Sequence, residues 1–149
     1  MTSIVSIKSE KNLKPIFKWS GGKKDEIPKF WEHIPKFSGT YLEPFIGGGA
    51  LFFHLNPKKA AISDMHEELI DFYKSIKDGK SDEIYNFMKL HPNENDEYYK
   101  VRDIDPKNAL ERGSRFYYLR KTCFRGMLRY NKKGKFNIPF GRYKTYNYE

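Results

Sequence analysis

Thr40-Tyr41-Leu42-Glu43-Pro44-Phe45-Ile46-Gly47-Gly48-Gly49-Ala50 joins an apolar run to three consecutive glycines. Thr40–Phe45 has the apolar and aromatic content of a short strand, and it runs directly into a glycine turn. Ala50–Leu55 continues as a helix that Asn56-Pro57 ends, and Lys59–Ser63 is a second short strand. Asp64 then opens an amphipathic helix with Met65, Leu69, Phe72, Tyr73 and Ile76 on one side and Gly79 past its end. Strand, glycine turn, helix, strand, acid, helix is the front half of a nucleotide-binding α/β unit.

The glycines have two readings. Without a Cβ they let backbone approach a ligand, and they equally serve a tight turn. Gly47-Gly48-Gly49 lacks the spacing of a dinucleotide fingerprint, and Gly21-Gly22-Lys23 is followed by Lys24 where a phosphate loop needs Ser or Thr. Asp64 also reads two ways. It lies where such folds place an acid on ribose hydroxyls, and with Glu67 it forms the D-x-x-E pattern of a capping box.

Outward from this centre, residues 1–15 read as a polar lead-in. Ile27, Phe30, Trp31 and Ile34 fall at the spacing of a helix with one buried face, with Pro28 in its first turn and Ser38-Gly39 as a turn beyond it. Ser81–Leu90 and Asp96–Val101 read as helices. Asp105-Pro106 caps a longer one that reaches Thr122, with Gly113 a weak point inside it. From Leu128 to Phe140 the pattern changes to a hairpin turning at Asn131–Gly134.

Charge is placed unevenly. Residues 1–100 hold 15 Lys+Arg against 15 Asp+Glu, whereas residues 101–149 hold 13 against 4, so the net +9 sits in the last third. That block is interleaved with Phe116, Tyr117, Tyr118, Phe124 and Tyr130. It reads either as a solvated basic face or, given its one-sidedness, as a surface for a polyanion. Hydrophobic content of 38% is low, and aromatics at 17% supply bulk that the aliphatics do not. Cys123 is the sole cysteine, which excludes a disulfide framework and points to a reducing compartment. The start of the chain has no apolar h-region and no long apolar run follows, so an intracellular location is expected.

Lys18-Trp19-Ser20-Gly21-Gly22-Lys23, the Tyr41–Ala50 stretch and Ser63-Asp64 together resemble the opening motifs of the DNA adenine methylases, the N6-adenine family whose familiar members act on GATC. Phe124-Arg125-Gly126-Met127-Leu128-Arg129-Tyr130-Asn131 and the later run Gly134–Tyr143 resemble that family's target-recognition hairpin. The resemblance implies a partial Rossmann-like α/β fold of the S-adenosylmethionine-dependent methyltransferases. Residues 1–80 would form the donor-binding front half, and residues 81–149 a mainly helical target-recognition segment with a DNA-binding hairpin.

It also implies roles. Trp19, Lys23, Glu43, Phe45, Gly47 and Asp64 would line the S-adenosyl-L-methionine pocket, with Lys23 on the donor's carboxylate and Asp64 on its ribose. Phe124, Arg125, Met127, Arg129 and Pro139 would face double-stranded DNA. Arg129 suits a base-edge contact, because arginine pairs bidentately with guanine O6 and N7. Lys132, Lys133, Lys135, Arg142 and Lys144 would meet phosphates.

The family's Asp-Pro-Pro-Tyr is absent from these 149 residues. That motif accepts hydrogen bonds from the amino group of a flipped adenine and stacks on the base. Asn56-Pro57-Lys58 and Asp105-Pro106-Lys107 lack its second proline and its aromatic. No residue is therefore assigned to catalysis or to a metal. The strand bearing the motif would pair beside Thr40–Phe45, which leaves an apolar edge uncovered. A split enzyme completed by a second polypeptide, an inactive relic, and a fragment of a longer protein all fit. Competing functions are a DNA-binding module without transfer and an RNA-binding protein using the same basic aromatic tail.

Overall fold

The computed structural model describes residues 13–148, so most of the lead-in expected over residues 1–15 lies outside the described residues. The chain divides into two compact units, Met1–Met65 and His66–Glu149.

In the first unit, α1 (Ile27–Phe30) is a single turn continued by a 3₁₀ turn, Trp31–His33. The apolar spacing over 27–34 thus gives two short turns instead of one helix, with Ile27 buried and Trp31 exposed. β1 (Tyr41–Glu43), α2 (Ala50–Leu55) and β2 (Ala60–Ile62) form a right-sized crossover unit. The strands run parallel, pairing Tyr41 with Ala60, Leu42 with Ala61 and Glu43 with Ile62. Both are shorter than expected. Pro44 has no N–H for a ladder and ends β1, after which the Ile46 amide reaches the Ser63 carbonyl at 2.9 Å. The sheet has two strands among the described residues, and Leu42 is 67% exposed on β1. A mixed helical domain with a small parallel sheet is what the chain shows.

The second unit is built on α6 (Ala109–Thr122), against which α3 (Glu67–Lys77), α4 (Ser81–Leu90) and α5 (Asn95–Asp103) pack. Leu69, Phe72, Ile84, Met88, Tyr98 and Val101 bury their side chains in this core. Each aliphatic or aromatic side chain so buried contributes about 1.5–3 kcal/mol relative to exposure. α3 packs within this second unit, whose compact boundary falls between Met65 and His66.

Two helix starts differ from expectation. α3 begins at Glu67 with His66 as its cap, the imidazole Nδ1 accepting from the Leu69 amide at 3.3 Å. Asp64 lies outside that helix, and Met65 is 93% exposed instead of facing a core. α6 begins at Ala109, and Asn108, not Asp105, is its cap. The Asn108 side chain accepts from the Glu111 amide, and the Glu111 carboxylate accepts from the Lys107 amide at 2.7 Å.

Gly113 is no weak point. A Cβ there would lie 2.8 Å from the backbone of Phe72, so its absence sets the close approach of α3 and α6. Phe116, Tyr117 and Tyr118, read as part of a polyanion surface, are buried, with Tyr117 stacked on Phe72 at 4.9 Å. α6 spends its aromatics on the core because helices surround it.

Candidate functional site

Two sets of predicted residues are gathered, one in each unit. In the first, the Gly47 amide donates to Asp64 Oδ2 at 2.9 Å. This bond ties the turn after β1 to the residue two positions beyond β2. Gly47 has φ +49°, where a side chain is strained, and the Trp19 indole Nε1 lies 2.8 Å from where its Cβ would stand. Gly48 has Trp19 Cβ 2.7 Å from its own missing Cβ. These two glycines therefore lack side chains because Trp19 packs on them. Gly47 thus touches both Trp19 and Asp64.

The other members of the set are placed less uniformly. Phe45 is 77% exposed beside the turn. Glu43 accepts from the Tyr41 hydroxyl at 2.9 Å, and burial raises its carboxyl above the usual range. Lys23 stands on the surface 3.9 Å from Glu26, a pair worth about 0–1 kcal/mol and easily exchanged for another anion. A separate open cleft of about 560 Å³ is lined by Ile27, Pro28, Trp31, Ala50 and His54 among others, and none of the predicted donor residues lines it.

In the second unit, the run after α6 folds into a tied loop. A 3₁₀ turn, Phe124–Gly126, is followed by strand-like segments that meet at two antiparallel bridges, Cys123 with Phe140 and Tyr130 with Phe136. The tip turns at Asn131–Gly134, closed by the Gly134 amide on the Asn131 carbonyl at 2.9 Å. The Asn131 side chain also accepts from the Lys133 and Lys135 amides, the local bonding that favours asparagine in turns.

Alternation sorts the loop into faces. Phe136 and Ile138 are buried, and the Ile138 carbonyl accepts from the buried Tyr98 hydroxyl at 2.7 Å. Phe124, Arg125, Met127, Arg129 and Pro139 are exposed, as are Lys132, Lys133, Lys135, Arg142 and Lys144. Every residue expected to face DNA is thus accessible.

The basic block is partly consumed inside. Arg112 pairs with the buried Asp71 at 2.7 Å. Arg115 pairs with Glu68 at 2.8 Å and also donates to the Val101 and Arg102 carbonyls at the end of α5. Arg120 is buried, and burial lowers its pKa. These arginines are structural, and charge alone could not separate them from the hairpin cations.

Three features were not legible in the sequence. Tyr130 donates to Glu68 Oε2 at 2.6 Å and lies 2.8 Å from His66 Nε2. Since His66 Nδ1 accepts from an amide, the neutral ring carries its proton on Nε2 and donates to Tyr130. Tyr98 and Asn137 anchor the other arm of the hairpin. Counting outward from the turn would have paired Arg129 with Asn137, once the Tyr130–Phe136 register was known.

The chain belongs to the D12 class of N6 adenine-specific DNA methyltransferases, the match covering residues 19–149. It is 55% identical over 139 residues to the type II methyltransferase M.CviBI of Paramecium bursaria Chlorella virus NC1A, across 92% of this chain and 54% of that protein. It is 40% identical over 146 residues to the type II methyltransferase M1.LlaDCHI of Lactococcus lactis subsp. cremoris, across 93% of this chain and 51% of that one. To the DNA adenine methylase of Serratia marcescens it is 31% identical over 139 residues, across 90% and 51%. The chain spans about half the length of these relatives. A methyl donor and a DNA substrate are what the family implies. No helix among the described residues is long and apolar enough to cross a membrane.

Proposed function

We propose that this chain carries the S-adenosyl-L-methionine site and the DNA-reading hairpin of a site-specific DNA adenine-N6 methyltransferase, within a Rossmann-like domain completed by further strands. The observation that carries the reading is the family match over residues 19–149, which spans both sets of candidate residues. When bound, S-adenosyl-L-methionine supplies a methyl group on a sulfonium, open to attack by the adenine amino group.

The chain's own residues suit the parts of that donor. Asp64 is a carboxylate held in place by the Gly47 amide, and it can accept from ribose hydroxyls. Phe45 offers an exposed ring, Trp19 a half-buried one and Lys23 an exposed ammonium for a carboxylate. Glu43, through its bond to Tyr41, shapes the floor at the end of β1. Donor-binding residues fall within 1–80 and DNA-contacting residues within 81–149.

In this reading Phe124, Arg125, Met127, Arg129 and Pro139 face DNA, with Arg129 on a base edge, while Lys132, Lys133 and Arg142 meet phosphates. The group that activates adenine comes from outside these 149 residues, in a second polypeptide or a further segment, since no Asp-Pro-Pro-Tyr stands among them. The chain alone then binds DNA without modifying it. The alternative, a DNA-binding module with no donor function, leaves the Asp64–Gly47 clasp without a ligand role.

Binding to duplex DNA across a salt series tests the interface. Affinity should fall steeply with salt through counterion release. Lys132→Ala or Lys133→Ala should weaken all duplexes about equally and reduce the slope by about one. Salt-independent binding, or none, would count against the hairpin as a DNA surface.

A further inference from the structure

Arg129 and Asn137 face each other across the hairpin, one position from the Tyr130–Phe136 bridge toward its base. The Asn137 amide donates to the Arg129 carbonyl at 3.1 Å. The Arg129 side chain returns along the same pair, Nε to Asn137 Oδ1 at 2.8 Å and Nη2 to the Asn137 carbonyl at 3.3 Å. Asn137 itself cannot wander. It sits between Phe136 and Ile138, both buried, and the next carbonyl along is held by Tyr98.

A guanidinium has five N–H groups in a fixed fork. Asn137 takes one from Nε and one from Nη2. What remains is the end-on edge, both hydrogens of Nη1 and one of Nη2, on an exposed side chain. That edge is the geometry that meets two acceptors side by side, such as guanine O6 and N7. A free arginine would sample many rotamers and either edge of its fork, losing that freedom only on binding.

We propose that Asn137 is a specificity-positioning residue, which clamps Arg129 so that its end-on edge is presented to one guanine in the DNA major groove. This rests on the reading of the hairpin as a DNA-recognition element. Asn137 touches no base in this account and acts through Arg129. Its contribution therefore concerns one base pair and not overall affinity.

The test is selection of bound sequences from a random duplex pool by the full chain, followed by affinity measurements on the selected duplex and on single-position changes of it. The wild type should show a guanine preference that Arg129→Ala abolishes. Asn137→Ala should reduce that preference about tenfold, as for one lost hydrogen bond to a charged group. Its affinity for unselected duplexes and its salt slope should not move. In the Arg129→Ala background it should have no further effect on base preference. Asn137→Asp keeps the acceptor, so it should retain the preference even as its added charge weakens every duplex. It also provides the comparison if the alanine variant does not fold.

Equal guanine preference in Asn137→Ala and wild type would overturn the proposal, as would a uniform loss on all duplexes or loss of the preference in Asn137→Asp. A wild-type chain that selects no sequence would overturn the DNA-reading assignment along with it. A wild type that selects normally, with an indifferent Asn137, sinks the clamp alone.

Discussion

Asp64 and Gly47, seventeen positions apart, are joined by a 2.9 Å hydrogen bond from the glycine amide to the carboxylate. The bond holds the turn after β1 against the end of β2, and it fixes the acid that the proposed function places on ribose. Asp64→Asn keeps an acceptor for the amide, whereas Asp64→Ala removes it. Both variants should lose donor affinity, by about tenfold if one or two charged hydrogen bonds go. Only the alanine variant should also lose stability, by about 1–2 kcal/mol. Calorimetric titration with S-adenosyl-L-methionine and denaturant unfolding separate the two effects. Unchanged donor affinity in both would remove Asp64 from the pocket.

Gly113→Ala sets propensity against packing. In an open helix the change would stabilise by about 1 kcal/mol. Here the new methyl would meet the Phe72 backbone at 2.8 Å, and backbone cannot rotate away. Overpacking of this kind costs about 1–3 kcal/mol and should win. A lower unfolding midpoint by circular dichroism is expected, and a raised midpoint would show that α3 and α6 separate cheaply.

Tyr130→Phe removes the hydroxyl that links the hairpin to His66 and Glu68 on the α3 side. Glu68 keeps Arg115, so its charge is not stranded. A loss of about 1–2 kcal/mol is expected. It should be accompanied by faster hydrogen exchange at the Asn131 and Asn137 amides, which bond across the loop. Exchange unchanged at those amides would show that the bridges alone hold the loop.

Burial pushes the Cys123 thiol up from its ordinary 9.0 to about 11. The folded pKa lies above the unfolded one, so the linked stability is fully present below about 9 and is lost as pH rises through about 11. The native thiol should therefore resist alkylation at pH 8. Unfolding free energy should fall between those pH values by roughly 2–3 kcal/mol more in the wild type than in Cys123→Ala. Equal slopes in the two proteins would refute the burial argument.

The sequence was most legible where spacing and backbone chemistry agree. The strand–glycine–helix–strand order over 40–63 and the turn at Asn131–Gly134 follow from periodicity and turn residues. Trp19 packs on Gly47 and Gly48, and Asp64 accepts from the Gly47 amide. Side-chain destination was less legible. Phe116, Tyr117 and Tyr118 alternate with arginines on α6 in a way that resembles a surface, yet helices on several sides bury them. His66, two positions later than the sequence suggested, is the N-cap of α3, and Asp64 accepts from the Gly47 amide. Asn137 carried no signal of its own, since its role depends on a register that only the folded hairpin sets.

The proposed function places a donor site and a DNA surface within these 149 residues and the group that activates adenine outside them. Transfer of a labelled methyl from S-adenosyl-L-methionine to mixed-sequence duplex DNA tests it, with the chain alone and with a second polypeptide bearing Asp-Pro-Pro-Tyr. On this proposal no N6-methyladenine forms with the chain alone, and the pair forms N6-methyladenine at a level that Asp64→Asn diminishes. N6-methyladenine formed by the purified chain alone would contradict it.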